Sequence, residues 1–343
     1  MKTKRPLLLI LLILLAVAPA ATGQAPLTDL GSGQYLGFPG GLFGLGSNEP
    51  PDDHAAAGGA FAVLVRPLDS AGHPSFAGRI VMISIGMSNT TQEFCAQNSR
   101  GPCDPWSFVG QANADPEVNH STLLLVNGAA GGQAADAWDS PSERNYDRIR
   151  DQNLAAAGVT EAQVQVAWVK VANRSPAVSL PSPNADAYRL VGQLGDIVRS
   201  LKVRYPNLRL VYVSSRIYAG YATSSLNPEP YAYESAFAVK WLIGAQIEQM
   251  RSSTIDPRAG DLDYNSGLAP FVTWGAYLWA NGTSPRSDGL VWLRSDFASD
   301  GTHPAQPGRA KVGSLLLQFF KTEPTARGWF LDRGGLRRRA VRK

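Results

Sequence analysis

The chain has 343 residues, of which 44% are hydrophobic and 17% charged, a balance that suits a folded globular protein and excludes an intrinsically disordered one. The formal net charge is +4, but Lys2, Lys4 and Arg5 at one end, and six basic residues against one acidic between Asp332 and Lys343 at the other, leave a body of net charge −4. A slightly acidic body is a poor nucleic-acid surface, so no nucleic-acid partner is expected.

Residues 1–23 read as a secretory signal peptide. A basic start precedes the apolar run Leu7 to Val17, and the small residues Ala18, Ala20, Ala21 and Gly23 follow. The run is too short for a transmembrane helix, which needs roughly 20 apolar residues. An uncleaved anchor is the alternative, but no other stretch would give stable membrane insertion once the signal is removed. Residues 24–60, rich in Gly and Pro at their start, are expected to form an extended N-terminal arm. Residues 61–331 carry the body, and 332–343 a solvated basic tail.

Within the body, apolar runs alternate with helical patterns. Arg79 to Ile85, Leu123 to Val126, Val164 to Val169 and Leu208 to Val213 are short and continuously apolar, as strands buried on both faces of a parallel sheet should be. A helix is expected from an N-cap at Asn184, with Tyr188, Val191, Leu194, Val198 and Leu201 at helical spacing. A second covers Tyr231 to Met250, and a last one follows Pro307 with Val312, Leu315, Leu316, Phe319 and Phe320 as its stripe. The alternation predicts an α/β fold, a three-layer α/β/α sandwich around a mainly parallel sheet of the flavodoxin-like kind. Such sheets keep their sites at the carboxyl ends of the strands.

Several strand ends carry residues fit for chemistry. Gly86-Met87-Ser88-Asn89 follows the first strand, where the glycine permits a tight turn that aims the hydroxyl at the crevice. Asn127 to Gly132 follows the second strand and Val171-Ala172-Asn173 the third. A Gly-rich turn at Gly131 and the amide of Asn173 are both candidate donors to an anion. Asp300-Gly301-Thr302-His303 precedes the last helix; an Asp and a His three apart suit a hydrogen bond that fixes the imidazole tautomer and frees its other nitrogen as a base. Arg216 and Tyr218 follow the fourth strand and are candidate substrate contacts. Trp274, Tyr277, Trp279 and Trp292 either wall the site or pack in the core.

Two cysteines without a nearby histidine make no zinc site. In an exported chain Cys95 and Cys103 suit a disulfide, with two separate thiols as the alternative. Asp261-Leu262-Asp263-Tyr264-Asn265 alternates oxygen ligands like a calcium loop but lacks the glycine and the glutamate of that motif, so no metal is expected.

The order Ser88, Gly131, Asn173, Asp300–His303 resembles the SGNH (GDSL) hydrolase superfamily, which carries Ser, Gly, Asn and His in four such blocks. The resemblance spans about Arg79 to Phe320, and Gly-x-Ser-Asn is also similar to the lead motif of its carbohydrate acetylesterase branch. Met87 stands where that family has Asp or Gln, and Val171 and Arg174 depart from its third block. The resemblance implies a cofactor-free serine esterase with Ser88 as nucleophile, His303 as base and Asp300 as its orienter. Ser88, Gly131 and Asn173 would form the oxyanion hole. The expected substrate is a small ester or an acylated carbohydrate, with O-acetyl as one such acyl group. An acyltransferase on the same triad and a catalytically silent carbohydrate-binding protein are the rival readings, and no oligomeric state is implied. The leader places the chain outside the cell or in a periplasm. Asn89-Thr90-Thr91 and Asn173-Arg174-Ser175 are glycosylation sequons inside the expected site, which fits a bacterial host that does not use them.

Overall fold

Five strands form one all-parallel sheet: β1 (Ile80–Gly86), β2 (Leu123–Val126), β3 (Val164–Lys170), β4 (Leu210–Val213) and β5 (Phe271–Trp274), in the order β2-β1-β3-β4-β5. The computed structural model describes residues 24–96 and 102–332. The expected signal peptide, and the basic tail beyond Asp332, lie outside those residues.

The sheet alternates its side chains between two cores, as the two-residue strand period requires. Val81, Ile83 and Ile85 of β1 face a core shared with Leu190, Leu194 and Leu201 of one helix (α5, Asp186–Arg204) and Phe237 and Ile243 of another (α6, Tyr231–Ser252). Ile80 and Met82 face the opposite core, closed by four further helices: α1 (Asp52–Leu64), α2 (Ser88–Cys95), α3 (Phe108–Ala114) and α7 (Gln306–Thr322). A helix at Arg144–Arg148, here α4, runs on as one π-helical stretch to Leu154 beside the first core. These are the three layers the sequence implies. Each large apolar side chain so buried contributes about 1.5–3 kcal/mol before entropy is counted.

One register shift interrupts β1–β3. Val81 pairs Val164 but Met82 pairs Val166, so Gln165 is the extra residue. Its amide is used: Nε2 donates to Arg66 O at 2.8 Å and Oε1 accepts from Arg66 N at 3.0 Å.

Three sequence expectations are corrected. The 24–60 arm is not extended throughout: it is helical at Leu27–Leu30 and again from Asp52, where α1 begins. That helix has two glycines and almost no apolar stripe; it packs through Gly58, where a Cβ would lie 2.8 Å from the Phe271 ring. The helix expected to be capped by Asn184 starts at Asp186 with Ala185 at the cap, because the Asp186 carboxylate turns back to accept the N–H groups of Ala177 and Val178 at 2.6 and 2.8 Å. The edge strand β5 is not among the strands expected from sequence; of its residues only Trp274 is singled out there, as part of an aromatic cluster. The arm itself is anchored: Lys240 Nζ of α6 donates to Pro39 O and Gly40 O, and Leu27 N to the Tyr277 hydroxyl. Among the described residues no helix is long and apolar enough to cross a membrane.

Candidate active site

Strand order reverses between β1 and β3, so the crevice past their carboxyl ends is the topological switch point where doubly wound sheets place ligands. Both strand ends deliver a site residue there. β1 ends in Gly86, where a Cβ would lie 2.3 Å from Lys170 O and 2.4 Å from Thr90 Oγ1, so no larger residue fits. Met87 is extended and Ser88 opens α2. A serine at that position has a backbone N–H without a helical acceptor, at the positive end of the helix dipole.

Ser88 Oγ lies 2.8 Å from His303 Nε2, across 215 residues of chain. His303 Nδ1 lies 2.5 Å from Asp300 Oδ2. The other Asp300 oxygen accepts the N–H groups of Thr302 and His303, each at 3.0 Å. Burial pushes the Asp300 carboxyl up, but the His303 ring and these two N–H donors outweigh it and hold it below the usual carboxylate range. An ionised Asp300 keeps a proton on Nδ1 and leaves Nε2 facing the serine as an acceptor. The loop that carries the pair is tight: Gly301 has φ +66°, and a Cβ there would overlap Tyr221 O.

Asn173, buried after β3, borders the same cleft. Its Nδ2 donates to Asp186 O at 2.9 Å, and among the described residues its second amide proton and its Oδ1 have no partner. The turn after β2 brings Gly132 to the cleft with φ +75°; Gly131 stands beside it without lining the wall. The cleft measures about 240 Å³. Two larger clefts, of about 580 and 600 Å³, contain no histidine.

Arg216 forms part of the wall and is 2% exposed, whereas Tyr218 packs on Tyr221 and Trp279 away from it. Burial pushes the Arg216 guanidinium down, opposed by Glu93 and Glu229. Trp274, Tyr277, Trp279 and Trp292 are core residues; Trp279 Nε1 donates to Glu229 and Trp292 Nε1 to Leu278 O. Cys95 and Cys103 are disulfide-bonded, at the end of α2. In the Asp261 loop the carboxylate accepts Gln249 Nε2 and Asp263 N, and among the described residues no cluster of three or more His, Cys, Asp or Glu side chains is placed to hold a metal.

Sequence reasoning missed two contributors, Asn89 and Asn227. Asn89 and Asn173, read as sequons, are 1% and 5% exposed, so neither offers room for a glycan. Asn89 ties α2 to the Thr302 carbonyl. Asn227, in the left-handed region at φ +58°, donates to Asn173 O at 3.3 Å and borders the cleft; an asparagine between Leu and Pro is a turn signal and nothing more.

An α/β protein with a serine–histidine–aspartate chain of hydrogen bonds at the switch point of a parallel sheet is what these features define. No family model matches the chain, and no curated protein matches it. Among solved structures it is similar to a carbohydrate esterase family 2 enzyme with a carbohydrate-binding domain from Myceliophthora fergusii, at 13% identity and TM-score 0.39, covering 74% of this chain and 68% of that one. It is similar to a family two carbohydrate esterase from Cellvibrio japonicus at 9% identity and TM-score 0.39, covering 75% and 64%. It is also similar to a catalytic mutant of an acetylxylan esterase from Geobacillus stearothermophilus at 12% identity and TM-score 0.36, covering 74% and 97%. Similarity this low leaves the functional reading to rest on the geometry around Ser88.

Proposed function

We propose that the chain is a serine esterase of the SGNH type, hydrolysing a small O-acyl ester through an acyl-enzyme. The observation that carries this is the continuous chain Ser88 Oγ–His303 Nε2–His303 Nδ1–Asp300 Oδ2, at 2.8 and 2.5 Å. In the proposed reaction His303 Nε2 takes the Ser88 proton as Oγ bonds to the ester carbonyl carbon. The carbonyl electron pair moves onto oxygen. The tetrahedral oxyanion accepts hydrogen bonds from the Ser88 N–H, the Gly131–Gly132 turn and the free Asn173 amide proton. It then collapses, and the alcohol leaves with the proton returned by His303. Water repeats the sequence on the acyl-enzyme and releases the acid. Each oxyanion donor is worth about 3–4 kcal/mol in such sites. A cleft of about 240 Å³ suits a short acyl group. An apolar leader at residues 7–17 supports export of the enzyme.

The test is 4-nitrophenyl acetate hydrolysis by wild type and by Ser88→Ala. Loss to background in the variant, with an unchanged circular dichroism spectrum, is expected, together with serine-directed phosphonate labelling of the wild type alone. His303→Ala should cost about as much as Ser88→Ala, because the two act as one unit. Near-normal turnover by Ser88→Ala would falsify the assignment.

A further inference from the structure

The cleft beside Ser88 contains a donor set that ester hydrolysis does not use. Arg216 is 2% exposed and borders the cleft, yet its Nε and Nη2, both buried, have no hydrogen-bond partner among the described residues. Among the described residues the one acceptor its guanidinium meets is the Met87 thioether, 3.9 Å from Nη1, a weak acceptor. Buried guanidinium groups are normally saturated, because an unmet charged donor carries its full desolvation cost. The two acidic residues whose charges act on it bond other groups: Glu93 Oε2 accepts Lys170 Nζ, while its Oε1 is buried without a partner among the described residues, and Glu229 accepts from Trp279 Nε1 and from the N–H groups of Ala219 and Tyr233. A second cation stands at the same cleft: Arg174, exposed, follows Asn173 directly and makes no ion pair or hydrogen bond with any described residue. No Asp or Glu is among the described residues that border the cleft.

Resting on the esterase reading, we infer that Arg216 and Arg174 seat a carboxylate carried by the ester substrate. A carboxylate would meet Arg216 at Nη1, where the Met87 sulfur now stands as a weak acceptor, and Arg174 from the open side of the cleft. The arginines are specificity residues. They hold an ionised group close to the scissile bond and leave the bond-making to Ser88 and His303. The carboxylate sits on the acyl or on the alcohol portion, and one assay set separates these placements.

The experiment compares kcat/KM for three esters: neutral 4-nitrophenyl acetate, mono-4-nitrophenyl succinate with its carboxylate on the acyl side, and 4-acetoxybenzoate with it on the alcohol side. Each rate is divided by that ester's rate of hydroxide hydrolysis, which removes intrinsic reactivity. One charged ester should exceed the neutral one by about tenfold or more, mainly through KM, and the advantage should shrink as salt is raised. Arg216→Gln should bring that ratio close to one, and Arg174→Gln should lower it several-fold. Arg174, being exposed, keeps the test open if Arg216→Gln does not fold. Equal normalised rates for all three esters, or a ratio unmoved in Arg174→Gln, overturn the inference while Ser88-dependent acetate hydrolysis leaves the esterase reading standing. Absence of any Ser88-dependent hydrolysis removes both.

Discussion

Asn89 Nδ2 donates to the carbonyl of Thr302 at 3.0 Å, joining the residue after the proposed nucleophile to the residue before the proposed base. The bond is buried and links α2 to a loop 213 positions away. It fixes the spacing between Ser88 and His303 more directly than the sheet does, since neither side chain sits on a strand.

Asn89→Ala should therefore act on the site as well as on stability. The Thr302 carbonyl would lose its buried partner, a cost of about 1–3 kcal/mol. If the spacing relaxes with it, kcat for 4-nitrophenyl acetate should fall about tenfold with KM nearly constant. A destabilised variant with wild-type kcat would show that the bond serves the fold alone.

Asp300→Asn should keep the loop but upset the imidazole. Oδ1 can still accept the Thr302 and His303 N–H groups, whereas an amide nitrogen facing Nδ1 favours the wrong tautomer. Turnover should drop by roughly 10²–10⁴-fold without loss of folding. Wild-type kcat in this variant would remove Asp300 from the triad.

How much of this was legible depends on what each residue's neighbours encode. Four of the five strands are apolar runs and could be read directly. Phe271–Trp274 is four residues wedged between Pro270 and Gly275, and α1 packs through Gly58 rather than a stripe, so neither has a periodic signature. Ser88, Asp300 and His303 were readable because a turn after a strand and an Asp-x-x-His spacing are local patterns. Gly132 in place of Gly131 at the cleft wall depends on a φ of +75°, which two consecutive glycines do not reveal. The closure made by Asn89 and Asn227 depends on partners 213 and 54 positions away, and Arg216, named from its place after a strand, carried no sign that two of its buried nitrogens lack a partner among the described residues.

Asn173→Ala tests the oxyanion assignment. Its Nδ2 already spends one proton on Asp186 O, so the free proton is the one that counts. Loss of one such donor should lower kcat by about 10²–10³-fold while KM changes little. Because the Asp186 bond also positions the start of α5, a melting curve must accompany the kinetics. Unchanged kcat would take Asn173 out of the hole and leave the triad intact.

Below Ser88, Glu93 and Lys170 form an ion pair at 2.5 Å with side chains 0% and 1% exposed. Burial pushes the Glu93 carboxyl up and the Lys170 ammonium down to about 8, each opposed by the other's charge. Lys170→Met leaves Glu93 without its partner and should cost roughly 3–5 kcal/mol in urea unfolding. The double variant Lys170→Met/Glu93→Leu should recover most of that loss. If the double variant is as unstable as the single, the cost lies in packing rather than in the uncompensated charge.

Glu234 gives the fold a pH dependence of defined sign. It accepts Leu180 N at 3.0 and 3.1 Å and the Tyr35 hydroxyl at 3.2 Å, joining α6 to the arm and to the loop before α5. Burial pushes its carboxyl up to about 7 from an ordinary value of 4.5, with the Leu180 N–H and the Tyr35 hydroxyl opposing. Between those values the folded chain holds a proton that the unfolded chain has lost. Folding is therefore favoured at the acid end, and stability falls as pH rises from 4.5 through 7. The full shift corresponds to at most about 3 kcal/mol. A glutamine is neutral throughout and can still accept both bonds, so Glu234→Gln should lose less stability than wild type between pH 5 and pH 8. Denaturant titrations of both proteins at the two pH values measure the difference. A stability gap between them that stays constant across the window would mean that Glu234 is ionised in the fold at both ends.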